Sequence, residues 1–234
     1  MVASLPGSTL ACALFVLAVG LGAALEGSVA LAVWLLSFWH YYLYWLAFAF
    51  GAAPFEVFKR DAVAMKSVSV AALATVYLAA PLDIVSLAVI AAGILLNARA
   101  AAVLGVDRTY YGHEVAGLPP ERITAFPYSH VAHPMILGNV AAFGGTLLNP
   151  DFARAWGPLA ALHVALNIGL LAMERWGRGG AVRRGGAIVF AGVLLVVAGA
   201  IPVTPTSALL LAAVLACAWT LHRCYAQELP GRAS

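Results

Sequence analysis

Long apolar runs, broken by short polar segments, recur along almost the whole sequence. A helix rises 1.5 Å per residue, so about 20 apolar residues cross a hydrocarbon layer of ~30 Å. The pattern predicts membrane spans at 8–25, 28–51, 67–82, 84–104, 134–149, 157–174, 186–202 and 205–222. Only Glu26 and Gly27 separate the first two. The expected fold is therefore all-α, a polytopic transmembrane bundle of about eight helices forming a single membrane domain over residues 1–234.

Composition agrees with this pattern. Of the 234 residues, 63% are apolar and 10% charged, with a mean hydropathy of +0.94, more than a soluble core of this size requires. Lys and Arg accumulate in cytoplasmic loops. Lys59, Arg60 and Lys66 in the second loop, Arg99, Arg108 and Arg122 at or in the fourth, Arg175, Arg178, Arg183 and Arg184 in the sixth, and Arg223 and Arg232 at the C-terminus all fall on one side. Arg154 alone falls on the other, which places both termini in the cytoplasm for an even number of spans. The net charge of +3 follows from this asymmetry and gives no reason to expect nucleic acid. The first apolar run has no Lys or Arg before it and reads as a retained helix rather than a signal peptide. Cys12, Cys217 and Cys224 are odd in number and lie in apolar runs, which supports packing rather than disulfides or zinc.

Polar residues are unevenly distributed. Thr109 to Glu174 holds four of the six histidines, and ionisable groups kept beside membrane segments mark function by default. The interruption at 105–133, rich in Gly, Pro, Tyr and His, predicts a structured cytoplasmic loop rather than a linker. A second interruption, 174–186, reads as a basic turn at the membrane surface, with a lipid-phosphate site as the sharper alternative. In the second span, Phe38-Trp39-His40-Tyr41-Tyr42 and Tyr44-Trp45 read as an interfacial aromatic rim, with His40 as hydrogen-bonded packing. Glu26 and Asp83 fall in tight turns opposite the positive loops, where water accounts for them.

His133-Pro134 opens a helix, because proline is favoured at the first helical position and biases the residue before it towards extended backbone. The N–H groups just after it, at the positive end of the helix dipole, attract anions. Gly138, Gly144 and Gly145 leave part of that helix bare, either for close helix packing or for a flat ligand. His163 and Glu174 share a face of the next helix, with Asn167 between them. Glu174 alone would be an interfacial carboxylate paired with Arg175 or Arg178. Together, the helix start at Pro134 and the Glu174 carboxylate can hold an amino acid zwitterion from its two ends. S-adenosylmethionine carries that zwitterion and a sulfonium cation, which the rings of Tyr110, Tyr111, Phe126 and Tyr128 can face.

Thr109-Tyr110-Tyr111-Gly112, Arg122-Ile123-Thr124-Ala125-Phe126-Pro127-Tyr128, His133-Pro134-Met135 with Gly138, and Glu174 together resemble the phosphatidylethanolamine N-methyltransferase family. That family is similar to the wider membrane methyltransferases, which include isoprenylcysteine carboxyl methyltransferase. The resemblance covers about residues 93–176, the expected catalytic core. It implies S-adenosylmethionine-dependent methylation of a phospholipid amine in the bilayer. The cofactor would enter from the cytoplasm, at the endoplasmic reticulum of a eukaryote or the inner membrane of a bacterium. It also implies that His133, Pro134, Gly138 and Glu174, with Tyr128 beside them, bind the cofactor. Met173 replaces the first acid of the family's acidic pair, Ala132 stands where many relatives have Arg, and Ala91-Ala92-Gly93 only partly matches the family's Gly-x-Gly. The methyl donor is already activated, so the protein must align it with the amine and accept one proton. His113, Glu114, His130 and His133 are the candidates for that acceptor.

Other chemistries fit less well. His113-Glu114-Val115-Ala116-Gly117 lacks the second histidine of a zinc protease, and His130-x-x-His133 falls short of a di-iron cluster, so no metal is expected. A non-enzymatic carrier would show repeats or midplane polar residues, and neither is evident. Within the methyltransferases, a prenylcysteine carboxylate is the alternative acceptor.

Overall fold

The computed structural model describes residues 6–50, 54–176, 180–201 and 203–226, the side chains of 175, 176 and 180 excepted. Arg178 and Arg232 and the side chain of Arg175, all counted above among the cytoplasmic cations, lie outside the described residues. Every regular element within them is a helix: α1 (Gly7–Glu26), α2 (Val29–Leu36), α3 (Trp39–Ala49), α4 (Phe55–Leu78), α5 (Ile84–Leu104), α6 (Val106–Thr109), α7 (Gly112–Ala116), α8 (Pro134–Thr146), α9 (Pro150–Trp176), α10 (Gly180–Ala200) and α11 (Pro205–Ala226). Among the described residues, seven segments are long and apolar enough to span a membrane, with α2 and α3 counted as one. The protein is a polytopic helical membrane protein.

Two expectations change. The predicted span 134–149 is a helix of 13 residues, about 20 Å long and too short to cross alone. The third span begins at Phe55 rather than 67, so Lys59, Arg60 and Lys66 lie within α4 and not in a loop. An apolar window misses this start because the helix there is charged but satisfied. Lys59 pairs with Glu56 one turn away, and the buried Asp61 accepts hydrogen bonds from Ser8 Oγ (2.7 Å) and Thr9 Oγ1 (2.9 Å) of α1.

The helices gather into two compact units, residues 1–73 with 178–234, and residues 74–177. In the first, α1 packs on α11 and α2, while α3 packs on α10 and α11. Its core is aromatic: Phe15 stacks on Trp39 with centroids 3.8 Å apart, and His40 lies on Tyr41 at 3.9 Å and edge-on to Tyr44. The aromatic run 38–45 is thus largely buried core rather than an interfacial rim.

In the second unit, α8 packs chiefly on α5 and then on α9. Small residues permit this. A Cβ on Gly138 would come within 2.7 Å of the Gly93 carbonyl oxygen, and one on Gly93 within 2.5 Å of the Ala142 backbone nitrogen. Two turns are tied at one end of the unit. Asn149 Oδ1 accepts from the N–H groups of Asp151 and Phe152 at the start of α9, while its Nδ2 donates to the Pro81 carbonyl before α5. Asp83 caps α5 by accepting from Ser86 N–H, a role more specific than solvation. Ser86 Oγ donates to the Gly145 carbonyl, so the hydroxyl of Tyr77, 2.7 Å away, must donate to Ser86.

Candidate functional site

The site is built at the opposite end of this second unit. Helix α8 starts at Pro134, with His133 as its N-cap residue and no side chain capping its first turn. The N–H groups there remain directed outward with the positive end of the helix dipole. Helix α9 is antiparallel to α8 and brings Glu174 back to the same place. Glu174 Oε2 lies 3.3 Å from His133 Nδ1, and the carboxylate is a quarter exposed (24%) while the imidazole is half exposed (52%). The partner expected from Arg175 or Arg178 lies outside the described side chains, and histidine supplies the described one.

Tyr128 and Glu114 lie near enough to Glu174 for their charges to interact. Burial, and then the negative charge of Glu174, raise the Tyr128 phenol above its usual range, so it stays a neutral donor. Burial likewise raises Tyr110. The residues Glu114, Tyr128, His133, Pro134 and Glu174 therefore form one cluster.

His113 and His130 are held by local bonds. His113 Nδ1 is 2.6 Å from the Leu118 carbonyl oxygen, and since a carbonyl only accepts, Nδ1 carries the proton and Nε2 the lone pair of the neutral ring. Tyr111 at φ 61° and Gly117 at φ 70° are the left-handed residues that bracket the single turn of α7 and close this bond. His130 Nδ1 is 2.7 Å from Ser129 Oγ, and its ring meets the exposed Phe126 edge-on. Arg108 braces the segment by pairing with Glu121 at 2.9 Å and donating to the Pro119 carbonyl. The 105–133 loop is structured, as expected.

Gly138 points elsewhere. The space beyond its Cα is filled by the α5 backbone at Gly93 and Asn97, so of the two reasons for a bare face, close helix packing is the one that operates there. His163 and Asn167 also lie apart from the cluster, deep in the unit. His163 is fully buried and stacks on Phe143 at 4.3 Å.

A polar ladder behind α8 was not anticipated from sequence. Asn97 Nδ2 on α5 donates to the Met135 carbonyl and to Asn139 Oδ1, each at 2.9 Å; Asn139 Nδ2 donates to Asn167 Oδ1; and Asn167 Nδ2 donates to the His163 carbonyl. These bonds fix the first turn of α8 against α5 and α9. The available signal was three asparagines in apolar runs, each costly unless paired. Among the described residues, no three His, Cys, Asp or Glu side chains gather as metal ligands would.

Residues 82–176 match a family model described as phospholipid methyltransferase, and the matched segment runs from just before α5 to the end of α9. No curated protein and no solved structure matches the chain.

Proposed function

We propose, from the match of residues 82–176 to the phospholipid methyltransferase family model, that the chain transfers methyl groups from S-adenosylmethionine to the amine of a phospholipid headgroup, phosphatidylethanolamine or its partly methylated forms. The observation that carries this reading is the meeting of the uncapped α8 start with the Glu174 carboxylate inside the matched segment. Residues 93–176 are the catalytic core of this proposal.

The residues present suit the donor. A carboxylate lies beside a set of outward N–H groups, as the opposite ends of an amino acid zwitterion require. Glu174 uses Oε2 on His133 and has Oε1 for the amino group, while the first turn of α8 receives the carboxylate. Pro134 sets that turn and Gly138 lets α8 approach α5 closely enough to aim it. Tyr128 contributes a neutral hydroxyl and a ring face beside the same carboxylate. Once bound, S-adenosylmethionine supplies a methyl group already activated on sulfonium.

The remaining task is to take a proton from the acceptor ammonium before it can attack. His133 Nδ1 faces Glu174 Oε2 at 3.3 Å, a contact that favours the proton on Nδ1, offers Nε2 as the proton acceptor and sets a carboxylate against the charge that forms. His113, with Nε2 likewise available, is the second candidate, and His130 the third. Glu114 adds negative potential that favours a cationic headgroup. Arg99, Arg108 and Arg122, in or next to the 105–133 segment in sequence, support a cytoplasmic orientation.

Glu174→Gln removes the charge and keeps the shape, and is expected to weaken S-adenosylmethionine binding by roughly 10- to 100-fold in calorimetry. Unchanged affinity would sink the cofactor assignment. Incubation with labelled S-adenosylmethionine and total lipids should place label in methylated ethanolamine lipids. Label in carboxyl esters instead would move the acceptor to the prenylcysteine class.

A further inference from the structure

Outside the family segment, the first unit contains a groove with a graded chemistry. Trp34, Phe38, Tyr42, Phe190, Val197 and Leu215, from α2, α3, α10 and α11, line an apolar recess. At one end of it stands a collar of rings. Phe190 is 5.3 Å from Tyr42 and 5.7 Å from Trp45, and Trp45 Nε1 donates to the Val182 carbonyl at 3.0 Å. A Cβ on Gly186 would overlap the Trp45 indole, so glycine is what lets α10 lie against this ring.

Beyond the collar lies a cation. Arg183 Nε donates to the Ala49 carbonyl at 2.9 Å, and its guanidinium carbon sits 5.0 Å over the Phe50 ring, which also meets His222 of α11 at 4.8 Å and Trp45 at 6.0 Å. Arg183 is two turns before Phe190 on α10, and His222 is one turn after Ala218, a groove residue, on antiparallel α11. Helices α3, α10 and α11 therefore place the Ala49 carbonyl, Arg183 and His222 at the same end of the groove. Nε and the ring fix the guanidinium plane, while its terminal nitrogens stay in an exposed residue. Two N–H groups in a fixed plane suit a phosphate bidentately.

We propose that this unit binds a membrane phospholipid through residues outside the family-matched segment, with the headgroup phosphate on Arg183 and one acyl chain in the groove between α10, α11 and α2–α3. Charge complementarity at one end and an apolar lining along the rest favour a diacyl phospholipid over an uncharged lipid or a free phosphate. Seven residues of helix, a backbone rise of roughly 10 Å, separate Arg183 from Phe190, the first groove ring on α10. That is the span of a glycerol backbone and the ester region, which the collar of Tyr42 and Trp45 would face.

The test uses the full-length protein in phosphatidylglycerol-containing nanodiscs doped with a phosphatidylglycerol bearing a photoreactive acyl chain. Crosslinks are expected within 190–197 and 214–218. Arg183→Gln and the groove-filling Leu194→Trp should each reduce them about tenfold, and Arg183→Lys, which keeps the charge but not the planar fork, should fall between Arg183→Gln and the unaltered protein. A photoreactive diacylglycerol should label these segments about tenfold less than the phospholipid. Equal labelling by both lipids, or labelling unchanged in both loss variants, overturns the proposal. Inorganic phosphate at millimolar concentration should not compete; competition would show a free-phosphate site and overturn it as well. Methyl transfer measured on the same samples is expected to persist in Leu194→Trp, so that failure of the lipid site and failure of the enzymatic reading give different results.

Discussion

The two units solve the problem of holding helices together in lipid by different means. Lipid tails are as apolar as leucine, so burial alone drives little helix association, and packing or hydrogen bonds must do it. In the unit of α1, α2, α3, α10 and α11, large rings interlock, with Phe15 on Trp39 and Trp45 on Phe190. In the unit of α5, α8 and α9, side chains are withdrawn at Gly93 and Gly138, and amides link across the gap as Asn97, Asn139 and Asn167. Rings fill space and tolerate small readjustment. Backbone contact with directional bonds holds α8 at one height, which is what a site built on the first turn of α8 needs.

Substitutions can break this contrast at either side. The largest loss is expected for Gly93→Ala, whose methyl would meet the α8 backbone with no flexible side chain to yield, at a cost of about 3 kcal/mol in a detergent-unfolding measurement. Phe15→Ala should cost about 2 kcal/mol, because the stack with Trp39 and its dispersion contacts are lost while lipid offsets the transfer cost. Asn139→Leu interrupts the ladder at its centre and should cost about 1 kcal/mol by the same assay. It should also lower S-adenosylmethionine affinity, whereas Phe15→Ala should leave that affinity unchanged. If both variants bind equally well, the ladder does not position α8. The smallest effect belongs to Gly169→Ala, where a Cβ meets nothing within 4 Å in mid-helix, and a gain of up to about 1 kcal/mol is expected.

The long spans were legible because they depend on composition over many residues. The start of α4 was not, because the buried Asp61 is held by hydroxyls on α1 as well as by Arg60 beside it, and those hydroxyls lie outside any local window. The pairing of α8 with α9 through His133 and Glu174 was anticipated in part, since proline fixes a helix start and the carboxylate ends an apolar run. The histidine partner was not, as arginines stood nearer in sequence. Gly138 was legible as a bare position, but whether a ligand or a helix fills it depends on the register between α5 and α8. His113 and His130 were recognised as proton-accepting types. Their rings are fixed by Leu118 and Ser129, contacts set by turn geometry in the 105–133 loop.

The shortness of α8 also constrains how the protein is made. A helix of 13 residues presents too little apolar length to be handed to the bilayer by itself during synthesis. It has to enter as one arm of a hairpin, after α9 has emerged, and beside an α5 already inserted with Gly93 and Asn97 exposed to lipid. Until then, the Asn97 amide waits for its acceptors at Met135 and Asn139. The order of the chain thus makes the meeting of the α8 start with Glu174 the product of a late docking event, and a ribosome paused between α8 and α9 would hold a membrane protein in which His133 and Glu174 had not yet come together.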